Sequence, residues 1–432
     1  MRSSDFSLAD DGGGRRTRLA GILRAIDLRA IAVVLAIFLT TRLLLLLVIF
    51  LSSAAIPMPT GTFGYAIPDN IVLDGLIRHD SWWYVGIIEH GYTMGDAQTG
   101  AQGTVTFFPL YPLLVKGVAA LTGSIFLAGV VVSQVAFLAA LGFLYGLARR
   151  EFDDETAARA IFYLAAAPST IFCTAMYTES LFIALVCATF YFSGRRMWEW
   201  AAAAGALAAA TRNTGVLLAA VIALEGLSQQ GLRLRPERML GATTTDTVHL
   251  WRDYVGRQMR VVLASWPSLL AACYVPIGLV AYMAFLSLTF GDPLGFIHAQ
   301  ASWGRSTGAG SILNILTNIK TNLSLGDNIW VGQINTLTLL NLLATLGFAP
   351  LVLMAVIKLR PAYGIYAALT FYAPLSTGSI GSMARYVLML IPCFLLLAVW
   401  GRRSWVDRLV LGIFLPLTTY FAIMFSHWYF VG

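Results

Sequence analysis

Once the cations of the strongly basic segments are set aside, the ionisable residues of this 432-residue chain reduce to a short set. The cations are Arg42, Arg78, Lys116, Arg212, Arg305, Lys320 and Arg385. The carboxylates beside them are Asp69, Asp74, Asp80, Glu89, Asp96, Glu179, Asp292 and Asp327. Glu179, Arg212 and Arg385 interrupt strongly apolar sequence, where an ionised group costs about 3 kcal/mol or more and marks a functional site by default. The simpler reading of Glu179 and Arg212 is a pair that ties two helical hairpins together. Such a pair can also belong to a working site.

A second concentration of chemistry lies in one loop. It runs Arg78-His79-Asp80-Ser81-Trp82-Trp83-Tyr84, then Glu89-His90-Gly91-Tyr92, then Phe107-Phe108-Pro109-Leu110-Tyr111-Pro112. On a helix Asp80 and Tyr84 share a face, as do Trp82 and Glu89 two turns apart. An interfacial belt accounts for the aromatic residues, since Trp and Tyr favour the headgroup level. It does not account for His79 and Asp80 at the head of the same helix. A carboxylate there can serve as general base toward a hydroxyl. No His, Cys, Asp or Glu cluster has metal-ligand spacing, so no metal or other cofactor is expected. Cys173, Cys187, Cys273 and Cys393 each sit in apolar sequence and read as small core residues.

The elements that must position these groups are set by composition. The chain is 58% hydrophobic and 12% charged, with a mean hydropathy of +0.74. A soluble domain carries about 25% charged residues. The apolar residues form runs such as Ala30–Ala55, Ile125–Ala148 and Tyr274–Phe290, long enough for a hydrocarbon core of about 30 Å. An all-α polytopic membrane protein follows, and a soluble enzyme, a disordered regulator and a secreted disulfide scaffold are excluded. The formal charge of +7 does not point to nucleic acid. Most of the Lys and Arg lie before Ala30, at 149–159, 195–196, 233–260, 358–360 and 402–408, the pattern of cytoplasmic loops.

That pattern orders the chain. Residues 1–29 are a basic cytoplasmic tail, and 30–432 form one transmembrane domain. Residues 30–53 cross outward to a first outer loop, 54–124, with an interfacial helix at 109–122, and 125–148 return. The stretches between Arg159 and Arg195, and between Arg196 and Arg233, begin and end on the inner side. Each is shorter than the roughly 40 residues plus a turn that two full crossings need. Both are therefore hairpins of short helices with tips below the outer surface. The tips carry Pro168-Ser169-Thr170 to Tyr177-Thr178-Glu179-Ser180, and Thr211-Arg212-Asn213-Thr214-Gly215, and floor a water-filled cavity. A cytoplasmic amphipathic segment, 229–260, follows. Crossings at 262–290, 329–357, 362–376, 385–400 and 407–427, with a second outer loop at 291–328, bring the total to eleven. The compact outer loops favour a bacterial plasma membrane over the endoplasmic reticulum.

The ordered set of motifs resembles one family. His79-Asp80-Ser81-Trp82-Trp83-Tyr84 through Gly91-Tyr92 and Phe107–Pro112 is similar to the first-loop signature of the PIG-V type mannosyltransferases. The likeness continues through Tyr177–Ser180, Thr211–Gly215, Gly291-Asp292-Pro293, Trp303-Gly304-Arg305 and Met383-Ala384-Arg385-Tyr386. His79 departs from it, since the family usually has an aromatic residue before the aspartate. The resemblance implies a GT-C fold and transfer of mannose, with inversion, from a polyprenyl or dolichyl phosphate to an extracytoplasmic glycolipid or glycan hydroxyl. It implies Asp80 as the base. Arg212, Arg385 and Arg305 become candidates for the donor phosphate, which suits the planar guanidinium fork. Glu179 would orient Arg212 or contact the sugar, and Tyr386 lies beside Arg385. His79, Trp83, Tyr84, Glu89 and Tyr111 would face the acceptor. Membrane lipids are expected around the chain, nucleic acid is not, and a small membrane subunit is left open. The rival from another class is a secondary transporter with a midplane polar site; a non-catalytic lipid-binding or assembly subunit is a third reading.

Overall fold

The computed structural model describes residues 27–59, 67, 69–95, 101–232, 244–303 and 336–432. The basic tail before Asp27, most of the second outer loop, Arg305 included, and 233–243 of the amphipathic segment lie outside the described residues. The chain is all-helical, with no strand among the described residues. Its helices in order are α1 Leu28–Ala55, α2 Ile71–Gly75, α3 Asp80–His90, α4 Leu110–Thr122, α5 Ile125–Glu151, α6 Asp154–Ala165, α7 Glu179–Gly194, α8 Trp198–Ala209 and α9 Leu218–Gln229. They continue with α10 Thr244–Ala264, α11 Trp266–Tyr274, α12 Ile277–Phe290, α13 Gly295–His298, α14 Thr336–Lys358, α15 Pro361–Leu375, α16 Met383–Tyr386, α17 Ile391–Trp400 and α18 Ser404–Ser426.

Five of these are long and apolar enough to cross a membrane: α1, α5, α11 with α12, α14 and α18. The α16 region and α17, bent by 77°, make a sixth if counted as one broken span. The α11–α12 span breaks at Val275-Pro276, where the proline ring displaces a helical hydrogen bond. The other stretches expected to cross, the two hairpins and 362–376, fall on shorter helices, α6 to α9 and α15. The two hairpins, α6–α7 and α8–α9, are built from helices of 12 and 16 and of 12 and 12 residues. At about 1.5 Å per residue the shorter ones stop well inside a bilayer core.

The tips of both hairpins are 3-10 turns, Pro168–Cys173 and Asn213–Leu217. At the second tip a Cβ on Gly215 would fall 2.3 Å from the backbone of Ala208, so the chain folds back against α8 where only glycine fits. The small residues of α8 also let α12 approach: a Cβ on Gly278 would meet the Ala206 carbonyl oxygen at 1.9 Å. The main core joins α5 through α9 with α15, α17 and α18.

Charge segregates between the two ends of the bundle. At one end Asp27 and Asp154 both pair with Arg149, Arg402 pairs with Asp153, and Arg360 bridges Glu151 and Glu225 at 3.0 and 3.1 Å. The hairpin tips, α3 and α16 lie at the other end. Cys173, Cys187 and Cys393 are free and buried, but Cys273 is exposed. The expectation that all four fill the core is corrected there: Ala271 and Ala272 turn the small face of α11 inward, and Cys273 falls on the outer face.

Candidate active site

A cavity of about 1090 Å³ opens between the two hairpin tips, the head of α3, α13, the end of α15 and α16. Asp80, Glu179, Arg212 and Arg385 meet on its wall. Arg385 donates from Nη1 to Asp80 Oδ2 at 2.6 Å, and its Nε lies 3.4 Å from Glu179 Oε1. The same Glu179 oxygen accepts from Arg212 Nη1 at 2.8 Å, and Arg212 also reaches Thr178 Oγ1 at 3.3 Å. Two carboxylates and two guanidinium groups thus form a continuous, formally neutral quartet. Tyr386 lies between the cations, its ring 5.3 Å from the Arg212 guanidinium and 5.6 Å from that of Arg385, within cation–π range. Glu179 is 1% exposed, and its Oε2 has no hydrogen-bond partner among the described residues. A buried carboxylate oxygen left open beside a cavity costs free energy and is chemically suited to a ligand hydroxyl.

Both carboxylates are the first residues of their helices, α3 and α7. The helix dipole and unpaired N–H groups favour negative charge there. Asp80 is fixed further by its backbone N–H, which donates to the Tyr177 hydroxyl at 3.1 Å, while that hydroxyl donates to the Arg78 carbonyl at 3.2 Å. Arg78 is fully buried, paired with Asp74, and donates from Nε to the Ser426 carbonyl at 3.0 Å. The loop is thereby pinned to the end of α18, with Trp428 under the Arg78 guanidinium at 4.6 Å. Arg42 does similar work for the first hairpin tip, donating to Ala165 O, Thr174 Oγ1 and Thr170 Oγ1 at 2.7, 2.7 and 3.0 Å.

The residues immediately before α3 and α16, the helices that carry Asp80 and Arg385, are strained. His79 has φ 50° and ψ −112°, and Ser382, which precedes α16, has φ 67°. Non-glycine residues in such regions cost about 1–3 kcal/mol and collect at functional sites. The His79 ring packs edge-on against Phe425, Trp428 and Phe430 at 5.7, 5.7 and 5.2 Å. Burial pushes its pKa down to about 4, against the opposing pull of Asp80. His79 is therefore a neutral ring in an aromatic nest.

Of the other expected site residues, Trp83, Tyr84 and Tyr386 line the cavity. Trp83 stacks near Phe107 and meets Trp303 edge-on at 5.3 Å. Tyr111 and Glu89 do not line it. Tyr111 is fully buried, its hydroxyl hydrogen-bonded to Gly129 O and Ser133 Oγ at 3.0 and 2.9 Å, so it is a packing residue of α4 against α5. The Glu89 side chain is 47% exposed, 3.8 Å from His90, on the face of α3 that turns away. Asp292 pairs with His298 at 2.7 Å outside the quartet, and that hydrogen bond holds its carboxyl below the usual range. Sequence reasoning missed Tyr177 and Arg78 as supports, and Phe430 on the wall. Among the described residues no group of three or more His, Cys, Asp or Glu could hold a metal ion.

Residues 106–234, less than a third of the chain, match the family model described as dolichyl-phosphate-mannose-protein mannosyltransferase. That stretch contains Glu179 and Arg212 but neither Asp80 nor Arg385. No curated protein matches the sequence. Among solved structures the chain is similar to ArnT from Cupriavidus metallidurans bound to undecaprenyl phosphate, with 14% identity, a TM-score of 0.46, and 90% of this chain and 76% of that one covered. It is similar to the Archaeoglobus fulgidus oligosaccharyltransferase in complex with Zn and sulfate, with 13% identity, a TM-score of 0.42, and 92% and 53% covered. A further match is AglB from the same organism with an inhibitory peptide and a dolichol-phosphate, at 12% identity and a TM-score of 0.42, with 92% and 56% covered. The chain spans about half the length of the oligosaccharyltransferase it matches.

Proposed function

We propose that this chain is a membrane glycosyltransferase of the GT-C and PIG-V type. It takes a hexose, mannose by the family resemblance, from a polyprenyl phosphate and transfers it with inversion to a hydroxyl of an extracytoplasmic glycolipid or glycan. The observation that carries the reading is the quartet of Asp80, Glu179, Arg212 and Arg385 on one cavity wall. The acceptor oxygen attacks the anomeric carbon as the bond from that carbon to the phosphate oxygen breaks. The electron pair leaves with the polyprenyl phosphate, and the acceptor proton passes to Asp80. Arg385 engages Oδ2 of Asp80, and Oδ1 would take the proton. Arg385 and Arg212 would hold the phosphate, and the open Oε2 of Glu179 would accept a sugar hydroxyl. The partial match to a mannosyltransferase family supports the reaction class.

The test is Asp80→Asn in a transfer assay with polyprenyl-phosphate mannose. The carboxamide keeps the shape but cannot take the proton, and loss of a general base costs about 10²–10⁴-fold in rate. Turnover of the purified variant within a few-fold of the unaltered protein refutes Asp80 as base. Glu179 is then the next candidate, since Glu89 lies off the cavity.

A further inference from the structure

Arg385 sits on α16, a helix of only four residues. One turn of helix does not hold itself in water or in lipid, because a single turn fixes several dihedrals for one hydrogen bond. Something outside the turn must set where Arg385 points. Two buried polar side chains from distant elements grip the residue just before it. The Asn341 side-chain oxygen, on α14, accepts the Ala384 N–H at 2.9 Å. Ser169, in the first hairpin tip, donates its hydroxyl to the Ala384 carbonyl. Both residues are 2% exposed, and neither lines the cavity. Within α14 Asn341 is the one side-chain amide in a span otherwise made of apolar and hydroxyl residues ending at Lys358. An amide in such surroundings is costly unless it has a specific partner.

From these contacts we propose that Asn341 and Ser169 are positioning residues for Arg385, holding its guanidinium against Asp80 and Glu179 for capture of the donor phosphate. They hold the two peptide units that flank the Ala384 Cα, one by its N–H and the other by its C=O, so the backbone at Ala384 can neither rotate nor slide, and the side chain one residue on inherits that fixity. The proposal rests on the reading of Arg385 as a phosphate ligand, and its test separates the two.

Full-length Asn341→Leu, Asn341→Asp, Ser169→Ala and Arg385→Met are purified and compared for binding of undecaprenyl phosphate, for donor and acceptor KM, and for hydrogen exchange of the peptide covering 383–386. Leucine keeps the volume of Asn341 but cannot accept; aspartate keeps the accepting oxygen. Asn341→Leu should bind undecaprenyl phosphate about tenfold more weakly and raise donor KM alike, with acceptor KM unchanged, and exchange at Ala384 should quicken about tenfold. Asn341→Asp should stay within about threefold of the unaltered protein in all of these. A purely structural asparagine would lower thermal stability without splitting donor KM from acceptor KM. Unchanged binding and exchange in Asn341→Leu, while Arg385→Met loses binding, overturns the positioning role. If Arg385→Met also binds normally, the phosphate reading falls, and exchange at Ala384 alone decides whether the clamp exists. Should Asn341→Leu fail to fold, Ser169→Ala carries the same prediction through the Ala384 carbonyl in the next peptide unit.

Discussion

Arg385→Met is the sharpest perturbation of the quartet, because the structure assigns the cation two partners. In the unaltered protein Arg385 reaches Asp80 at 2.6 Å and Glu179 at 3.4 Å, with its own side chain 8% exposed. Removing it leaves two carboxylates facing one another across a cavity wall, balanced by Arg212 alone. Breaking one partner out of a buried pair costs about 3–5 kcal/mol, because an uncompensated charge remains. The cost here should lie toward the lower end, since the Asp80 side chain is 18% exposed and keeps some access to water. Adding Asp80→Asn to Arg385→Met removes the stranded charge as well, so the double variant should regain most of the lost stability. A coupling of about 2 kcal/mol between the two sites is expected, well above the error of such cycles. Thermal unfolding in detergent micelles reads the stability order; transfer from polyprenyl-phosphate mannose reads activity. The single and double variants should both be inactive, so that stability returns and catalysis does not. Additive losses in stability would refute the pairing, and an active double variant would refute the roles of both residues at once.

Three further outcomes follow from the same geometry. Arg212→Lys should bind donor more weakly, because a point charge replaces a fork; recovery of both stability and activity in Arg212→Met with Glu179→Met would reduce that pair to a structural tie. His79→Phe should keep activity within a few-fold. His79 has its pKa lowered on folding, so the unfolded chain binds the extra proton, and stability conferred by the neutral ring is lost as pH falls from about 6.5 toward 4. His79→Phe should flatten that part of the stability profile, and an unchanged profile would contradict the neutral nest. Single cysteines at Thr99 and Gly308 should react with an impermeant thiol reagent on intact cells, and those at Ser228, Thr245 and Ser404 only after lysis. Exposed Cys273 must be replaced first, and labelling of Thr245 from outside would reverse the assumed orientation.

Glu179, Arg212 and Arg385 stood out in the sequence because ionised groups are costly in apolar surroundings, and Asp80 because an aromatic belt does not account for a carboxylate at the head of the same helix; the structure brings the four to one cavity wall. The hairpins were legible because the basic clusters stand too close together for full crossings. What was not legible depends on contacts between distant positions. Asp80 and Arg385 are separated by 305 residues, and no local period announces their pairing or the grip of Asn341 on Ala384. Tyr111 misled because an aromatic in a Pro-rich motif looks the same whether its helix turns it toward a cavity or toward α5. Glu89 misled for the same reason of helical phase. Tyr177 stood within a quoted motif, but its task is to hold a backbone N–H, which sequence does not display.

The last residues of the chain form part of the cavity's surroundings. Phe430 lines it, and Gly432 lies so close to the site that a Cβ there would fall 2.5 Å from the Phe172 ring and 3.1 Å from Cβ of Arg385. A side chain at position 432 therefore has no room of its own, since it would meet the Phe172 ring and the stem of Arg385. Even the methyl group of Gly432→Ala would press on the side chain that reaches Asp80 and Glu179. The bareness of this glycine leaves the guanidinium its place on the wall.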